Sequence, residues 1–574
     1  MTSRLNHVIL AHDTPGTSSH PGAAPTGLSR SGFRFGVVLL TFAYLTWVFA
    51  WAFTSAPFRT PDEPAHYNSI LRIAYGTGDR WPAPGDAYMY RDVLDAARES
   101  GVRKIGAEDF NHRSRTPLSQ AAEWSFYDTP VVSHTDRTVP RATVTTDVTD
   151  QMTQHPPLYY AMAAGVLRIA GAQNWHWDSQ LLLLRGFSAL LTLPLVPCLA
   201  FTLRRIGVGR AAALVGASAV FLVPQLALVS GSVTNDTLAV GAGALTIAAC
   251  AAAMFTPGRR TILWAGLALG LALWTKGTLI PLGLVVFLSF VLNPRRGTLM
   301  RRAGQGIAAG LIGLAVGGWW WARNLLLYGA LQPDGYGRTA VNSGGTMSLP
   351  AFIWRSWREL TNSFWGDLGW VERRLPVGLL WPLIYGAVLL TGIALVRHAE
   401  KRWRLLNLDL FTVALWLVLF IQAWHQYRAL GTISGLQGRY LFPDMVGILA
   451  VCMMGWLGRR SPVPRWRLGA AGLLSVAVAV YGYVFWVRNL YPAGATGVDV
   501  ERWAAVIGLP TGALAAVVAG ASLAVLVLLG VVIVAAQLEP TMAHSGTTRP
   551  VDVIERAGAT SSNPQGTGQP TAAG

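Results

Sequence analysis

Twelve apolar stretches recur along this chain, at 34–56, 181–203, 211–231, 236–256, 261–275, 277–293, 303–323, 376–396, 408–426, 440–458, 468–488 and 511–536. A helix needs roughly 20 apolar residues to cross the ~30 Å of a bilayer's hydrocarbon. Within that layer every backbone polar group must find a partner inside the protein, which leaves helices as the natural spanning element. The pattern therefore predicts an all-α polytopic membrane protein of about 12 transmembrane helices. Composition agrees, because 52% hydrophobic and only 13% charged residues are unlike a soluble domain. The pair 261–275 and 277–293 is short and shares a boundary.

The net charge of +17 raises nucleic acid as a partner, but the placement of the basic residues excludes it. Arg204-Arg205 with Arg210, Arg259-Arg260, Arg295-Arg296 with Arg301-Arg302, Arg397 to Arg404, and Arg459-Arg460 with Arg465 and Arg467 fall in alternate short loops. Basic loops mark the cytoplasmic side. With residues 1–33 cytoplasmic, every cluster lands on that side of the membrane, and both termini are expected there. Counting 156–172 as a span would invert the later loops, so that stretch is read as a helix lying on the outer membrane surface.

The polar ends 1–33 and 537–574 are expected to be disordered cytoplasmic tails flanking a membrane domain at 34–536. Residues 57–180 and 324–375 form two long extracytoplasmic loops, with a shorter one at 427–439, and the first is expected to carry amphipathic surface helices such as Tyr90 to Ser100. Cys198, Cys250 and Cys452 all fall in apolar stretches, so neither a disulfide framework nor cysteine-based metal spacing is present.

The residues with chemical potential collect where the apolar stretches end. Asp62-Glu63, in Thr60-Pro61-Asp62-Glu63-Pro64-Ala65-His66, follows the first stretch. The same residues read as a helix cap with Pro at the first turn, so helix start and acid-base chemistry both stand. Adjacent helical residues point about 100° apart, which gives the two carboxylates different faces. His66 lies one turn from Asp62, on its face. His155-Pro156-Pro157 forces a turn before Leu158; Tyr159 and Tyr160 read as interfacial aromatics, and His155 as a turn residue or a site lining. Arg439, Lys276 and Arg323 stand at outer edges against the basic-inside trend. Snorkelling accounts for such residues; so does binding phosphate, which suits a planar arginine fork. Asn235-Asp236 is a cap or a site member. Trp365, among Phe352, Trp354, Trp357, Phe364 and Trp370, belongs to an aromatic belt or to a sugar platform, and Asp367 and Glu372 carry no assignment.

Pro61-Asp62-Glu63-Pro64-Ala65-His66, Thr234-Asn235-Asp236, Trp321-Ala322-Arg323-Asn324, Ser363-Phe364-Trp365-Gly366 and Gln437-Gly438-Arg439-Tyr440-Leu441-Phe442-Pro443, in this order over about 36–490, resemble an actinobacterial membrane family catalogued as domain of unknown function 2142. The acidic pair after the first span and the later His155-Pro156-Pro157-Leu158-Tyr159-Tyr160 resemble the C-type (GT-C) integral membrane glycosyltransferases. That resemblance implies a GT-C-like fold and sugar transfer from a polyprenyl-phosphate donor to a cell-envelope glycan or glycolipid on the extracytoplasmic face. Asp62 would be the base, and Glu63 would orient the acceptor or share a divalent cation, magnesium or manganese. Arg439 with Lys276 or Arg323 would clamp the donor phosphate, and His66, His155, Tyr159, Asn235, Asp236, Trp365 and Tyr440 are candidate linings. Arg185 reads as structural. A transporter or flippase of a lipid-linked precursor, or a non-catalytic scaffold, is the alternative; a transporter would carry ionisable groups near the midplane. Nucleotide-binding and metalloprotease signatures are absent from the sequence.

Overall fold

The structure, a computed structural model, describes residues 27–76, 81–100, 131–256, 258–333, 344–371, 373–431, 433, 435–458, 462–494 and 496–540. Of the tails expected at 1–33 and 537–574, residues 1–26 and 541–574 lie outside these residues, as does the acid Glu372, whereas Arg30 to Phe33 and Gln537 are helical.

The chain opens with α1 (Arg30–Ala52), four residues ahead of the apolar stretch, because Ser29 accepts a hydrogen bond from the Gly32 amide and caps it. The first long loop then folds as α2 (Glu63–Tyr75), β1 (Tyr88–Tyr90), α3 (Arg91–Glu99), β2 (Thr145–Thr149) and α4 (Leu158–Ile169). The strands pair antiparallel, with Tyr88 opposite Thr149. The bundle continues as α5 (Trp177–Leu191), α6 (Leu195–Ile206), α7 (Arg210–Ala217), α8 (Pro224–Ser230), α9 (Asp236–Phe255), α10 (Arg260–Leu273), α11 (Leu282–Val291), α12 (Leu299–Gly313) and α13 (Trp319–Tyr328). It closes with α14 (Leu349–Trp365), α15 (Val377–Arg397), α16 (Arg402–Leu430), α17 (Met445–Leu457), α18 (Arg465–Leu490), α19 (Val500–Ile507) and α20 (Thr511–Gln537).

Among the described residues, eight helices are long and apolar enough to cross a membrane: Arg30–Ala52, Trp177–Ile206, Asp236–Phe255, Val377–Arg397, Ala399–Leu430, Gly438–Leu457, Arg465–Leu490 and Thr511–Gln537. The twelve stretches read from sequence exceed this count for local reasons. Stretch 211–231 is bent by 76° at Val223, which Pro224 pushes out of the helical region. Stretches 261–275 and 277–293 become short helices on either side of Lys276, and 14 residues rise only about 21 Å. Stretch 303–323 is taken up by α12, a π-helical turn at Leu314–Gly318, and α13.

The first loop has a core of its own. Tyr67, Ile70 and Leu71 of α2, Val93 and Ala97 of α3, Tyr160 and Leu167 of α4 and Trp177 of α5 bury one another in one apolar cluster. The sequence reading placed α4 along the membrane surface with interfacial tyrosines. Tyr159, Tyr160, Ala163, Ala164 and Leu167, spaced as one helical face, are buried where α4 packs on α2, which corrects the reading of the two tyrosines as interfacial. Tyr159 and Tyr160 are thus core residues.

Two close approaches fix the segment that carries Arg439. A β-carbon at Gly243 of α9 would fall 2.1 Å from the Pro443 carbonyl oxygen, and one at Gly438 would fall 2.2 Å from the Phe364 nitrogen. Only glycine lets residues 438–444 wedge between α9 and α14. The Gly438 amide donates to Ser363 Oγ (2.8 Å).

Candidate active site

Residues 54–71 are buried without interruption, so the acidic motif sits inside the protein rather than at its wetted surface. Phe58 and Asp62 both have φ of 61°. The left-handed region is uncommon outside glycine, and a genuine outlier for a residue as bulky as Phe. Strain of this kind costs of order 1–3 kcal/mol and persists only where surroundings impose it. Here they do: the Phe58 amide donates to Glu63 Oε2 (2.9 Å), and the Phe58 carbonyl accepts from Trp370 Nε1 (2.9 Å). The capping-box reading fails on this geometry. Asp62 precedes the helix but makes no side-chain cap bond, and Glu63 is the first helical residue rather than the third.

Glu63 is bound in a closed ion pair. Its Oε1 accepts from Arg185 Nε (2.8 Å) and the Val233 amide (3.1 Å), while Oε2 accepts from Arg185 Nη2 (2.7 Å). Both side chains are fully buried. The rest of the Arg185 guanidinium donates to the carbonyls of Ala52 (3.0 Å), Ser55 (2.5 Å) and Ala56 (3.1 Å). This arrangement ties the end of α1 to α2 and α5. It corrects the reading of Glu63 as acceptor-orienting or catalytic and agrees with a structural Arg185. A divalent cation shared by Asp62 and Glu63 does not fit either, because the two carboxylates diverge to different arginines. Among the described residues no group of three or more His, Cys, Asp or Glu is placed to hold a metal.

Asp62 points the other way, into a row of alternating charges. Its Oδ2 accepts from Arg439 Nη2, and its Oδ1 accepts from Gln151 Nε2 (3.1 Å). Arg439 Nη1 lies 3.3 Å from Asp236 Oδ2, and Asp236 Oδ1 accepts from Lys276 Nζ (2.6 Å). Arg439 is further held by Gln437 Oε1 (2.6 Å) and the Pro61 carbonyl (3.2 Å). Lys276 lies 4.8 Å from the centre of the Tyr440 ring, a cation–π distance. The row Asp62, Arg439, Asp236, Lys276 is therefore neutral as a whole, negative at one end and positive at the other.

Chain topology explains the convergence. Asp62 follows the end of α1, Asp236 begins α9, Lys276 lies between α10 and α11, and Arg439 begins the span Gly438–Leu457. All four stand where helices begin or end.

Two histidines and an asparagine border the row. His66 does not bond the Asp62 carboxylate. Its Nδ1 pairs with the Tyr160 hydroxyl (3.0 Å) and its Nε2 with Thr234 Oγ1 (3.2 Å). Burial pushes the His66 imidazole down to about 3, against the pull of Asp62 and Asp236, and pushes His155 well below the usual range too. His155 Nδ1 and both amide atoms of Asn235 are buried without a hydrogen-bond partner among the described residues. Unsatisfied buried polar atoms are rare in folded proteins, and here they adjoin the charged row. Because folded His66 stays neutral while the unfolded chain gains a proton below pH ~6.5, stability must fall on acidification between about 6.5 and 3, by up to ~1.4 kcal/mol per pH unit. The melting temperature is expected to drop from pH 7 to 5, less steeply in His66→Gln; identical slopes would contradict the buried neutral imidazole.

The remaining candidates separate. Arg323 stacks on Trp320 (4.9 Å) and Tyr328 (5.8 Å) and donates to Asn324 (3.2 Å), and none of these contacts reaches the row. Its reading as a phosphate ligand therefore gains no support from the row. Tyr159 pairs with Ser188 (2.8 Å) and packs edge-on against His66 at the border of the row (6.4 Å between ring centres), and Trp365 packs edge-on against Phe364. Cys198, Cys250 and Cys452 are free and buried. Asp367 holds Arg374 (2.6 Å). Sequence reading missed Gln151 and Tyr160 as neighbours of the acidic motif: Gln151 carries no charge or periodic signal, and Tyr160 reads as an interfacial aromatic. Gln437 and Thr234 stood within quoted motifs without a role.

A family model described as a predicted membrane protein, DUF2142, matches residues 45–448, a span holding all four charges of the row. The chain belongs to the DUF2142 family. No curated protein matches this DUF2142 chain. Among solved structures, ArnT from Cupriavidus metallidurans in the apo state is 14% identical over 89% of this chain and 78% of that one, with a TM-score of 0.47. The same protein bound to undecaprenyl phosphate gives 15%, 88%, 77% and 0.42. The Archaeoglobus fulgidus oligosaccharyltransferase in its apo form gives 12%, 79%, 55% and 0.40. Likenesses this slight say nothing about the chemistry of this DUF2142 protein.

Proposed function

We propose that this protein is a membrane glycosyltransferase that moves a sugar from a polyprenyl-phosphate donor to a cell-envelope glycan or glycolipid on the extracytoplasmic face. The observation that carries the reading is the buried, polar-ended row of Asp62, Arg439, Asp236 and Lys276 at the helix ends. Transfer to a hydroxyl needs a base at one side of the anomeric carbon and cationic support for phosphate at the other. The row supplies both. Asp62, at the negative end, takes the acceptor proton as the acceptor oxygen bonds the anomeric carbon. The bond from that carbon to the phosphate oxygen breaks, and its electron pair leaves with the polyprenyl phosphate. Lys276, at the positive end, has three donors and bonds only Asp236 among the described residues, so it is the cation with capacity for phosphate. Arg439, already bonded to protein groups, orients Asp62.

The test is transfer by purified protein in lipid from a panel of labelled polyprenyl-phosphate sugars. Lys276→Met is expected to raise the donor KM at least tenfold, with partial recovery in Lys276→Arg. An unchanged KM would remove Lys276 from the phosphate site.

A transporter is the second reading, favoured by two acids inside spans: Asp444, fully buried and bonded by Thr412 Oγ1 (2.6 Å), and Asp409 in Ala399–Leu430. Ionisable groups there commonly mark transport paths. Movement of a lipid-linked sugar across proteoliposomes without transfer would establish it.

A further inference from the structure

At the opposite end of the bundle, α18 and α20 diverge to leave a groove. They touch at Gly472, where a β-carbon would lie 2.2 Å from Val532 Cγ1. One turn toward the start of α18, a β-carbon at Gly469 would meet nothing within 4 Å. The resulting cavity of about 310 Å³ is lined by Gly469, Leu473, Leu529, Ile533 and Ala536 and ends at Arg465. Leu473 and Ile533 are 64% and 53% exposed, so the groove opens on the apolar outer surface. It is too small for a helix ~10 Å across, which leaves a single flexible chain as its occupant.

Its polar end is cationic. Arg465 is exposed and spends one bond on the Gln537 carbonyl (3.0 Å). It also begins α18, a 26-residue helix with neither a side-chain cap nor an acid in its first turn, so the positive end of the helix dipole adds to its charge. Arg467, two residues on, turns away to the Trp456 carbonyl (3.4 Å), and Trp466 between them is 62% exposed, as interfacial aromatics are. The nearby carboxylate of Glu539 is buried and accepts from the Val463 amide (2.9 Å). A 20-residue span, Gly438–Leu457, separates Arg439 from this end, about 30 Å at helical rise.

We propose that this groove binds one acyl chain of an anionic phospholipid, with its phosphate on Arg465, in the leaflet opposite the candidate active site. Full-length protein would be delipidated in detergent, offered phosphatidylglycerol, phosphatidylcholine or a polyprenyl phosphate, and read by native mass spectrometry. Wild type is expected to retain one phosphatidylglycerol at least tenfold better than phosphatidylcholine. Arg465→Gln should bring the two within about twofold, and Gly469→Leu, which fills open space without a clash, should reduce retention of both. Equal retention of the two phospholipids by wild type, a preference unchanged in both variants, or tighter retention of polyprenyl phosphate would each overturn the assignment. Melting curves matching wild type show that both variants fold.

Discussion

Asp62→Asn is expected to lower sugar transfer by ~10²- to 10⁴-fold, the usual contribution of a positioned general base, while leaving the folded protein intact. The backbone permits the substitution, because asparagine is one of the few residues that tolerates a φ of 61°. Neighbouring groups permit it as well. Arg439 keeps Asp236, Gln437 and the Pro61 carbonyl, so no buried cation loses every partner. Gln151 retains an acceptor in the asparagine carbonyl. What disappears is the carboxylate able to take a proton. Transfer rates and melting temperatures measured side by side decide the matter: a variant that transfers at more than half the wild-type rate removes Asp62 as the base, whatever its stability.

The adjacent carboxylate should behave in the opposite way. Glu63→Gln leaves the fully buried Arg185 guanidinium without its counter-charge, and breaking a buried ion pair on one side costs about 3–5 kcal/mol. Folded proteins have only ~5–15 kcal/mol in hand. The strained Phe58 turn depends on Glu63 Oε2 as well, so its release should loosen the link between α1 and α2. The expected result is a sharp loss of monodisperse protein and a large fall in melting temperature. A Glu63→Gln protein that elutes and melts as wild type would show that the pair does not hold this loop. Together the two substitutions separate roles that sequence adjacency merges: the proposed base, and a neighbour bound into the scaffold by Arg185.

The motif residues were legible in the chain because charge is scarce there, and a charged residue at the edge of an apolar stretch stands out. Asp62, Asp236, Lys276 and Arg439 were each visible for that reason. Their pairing was not, since the partners lie far apart in sequence, Asp62 and Arg439 by 377 positions, and no local pattern encodes such a contact. Arg323 carried the same edge signal as Lys276 and yet stacks on Trp320 and Tyr328. The signal reports nearness to a membrane boundary, not membership of a site. For Tyr159 and Tyr160, an aromatic among apolar residues is common to interfacial and core positions, and only packing on α2 distinguishes them.

Hydrophobic run length by itself determined that this chain is a helical membrane protein, because the hydrocarbon layer imposes both the length of an apolar run and its internal hydrogen bonding. Tertiary structure decided which carboxylate meets which cation. A buried charge must be matched by whatever group the fold brings within a few ångströms, and that distance is set by glycine-tight helix contacts such as Gly243 on Pro443, not by neighbours along the chain.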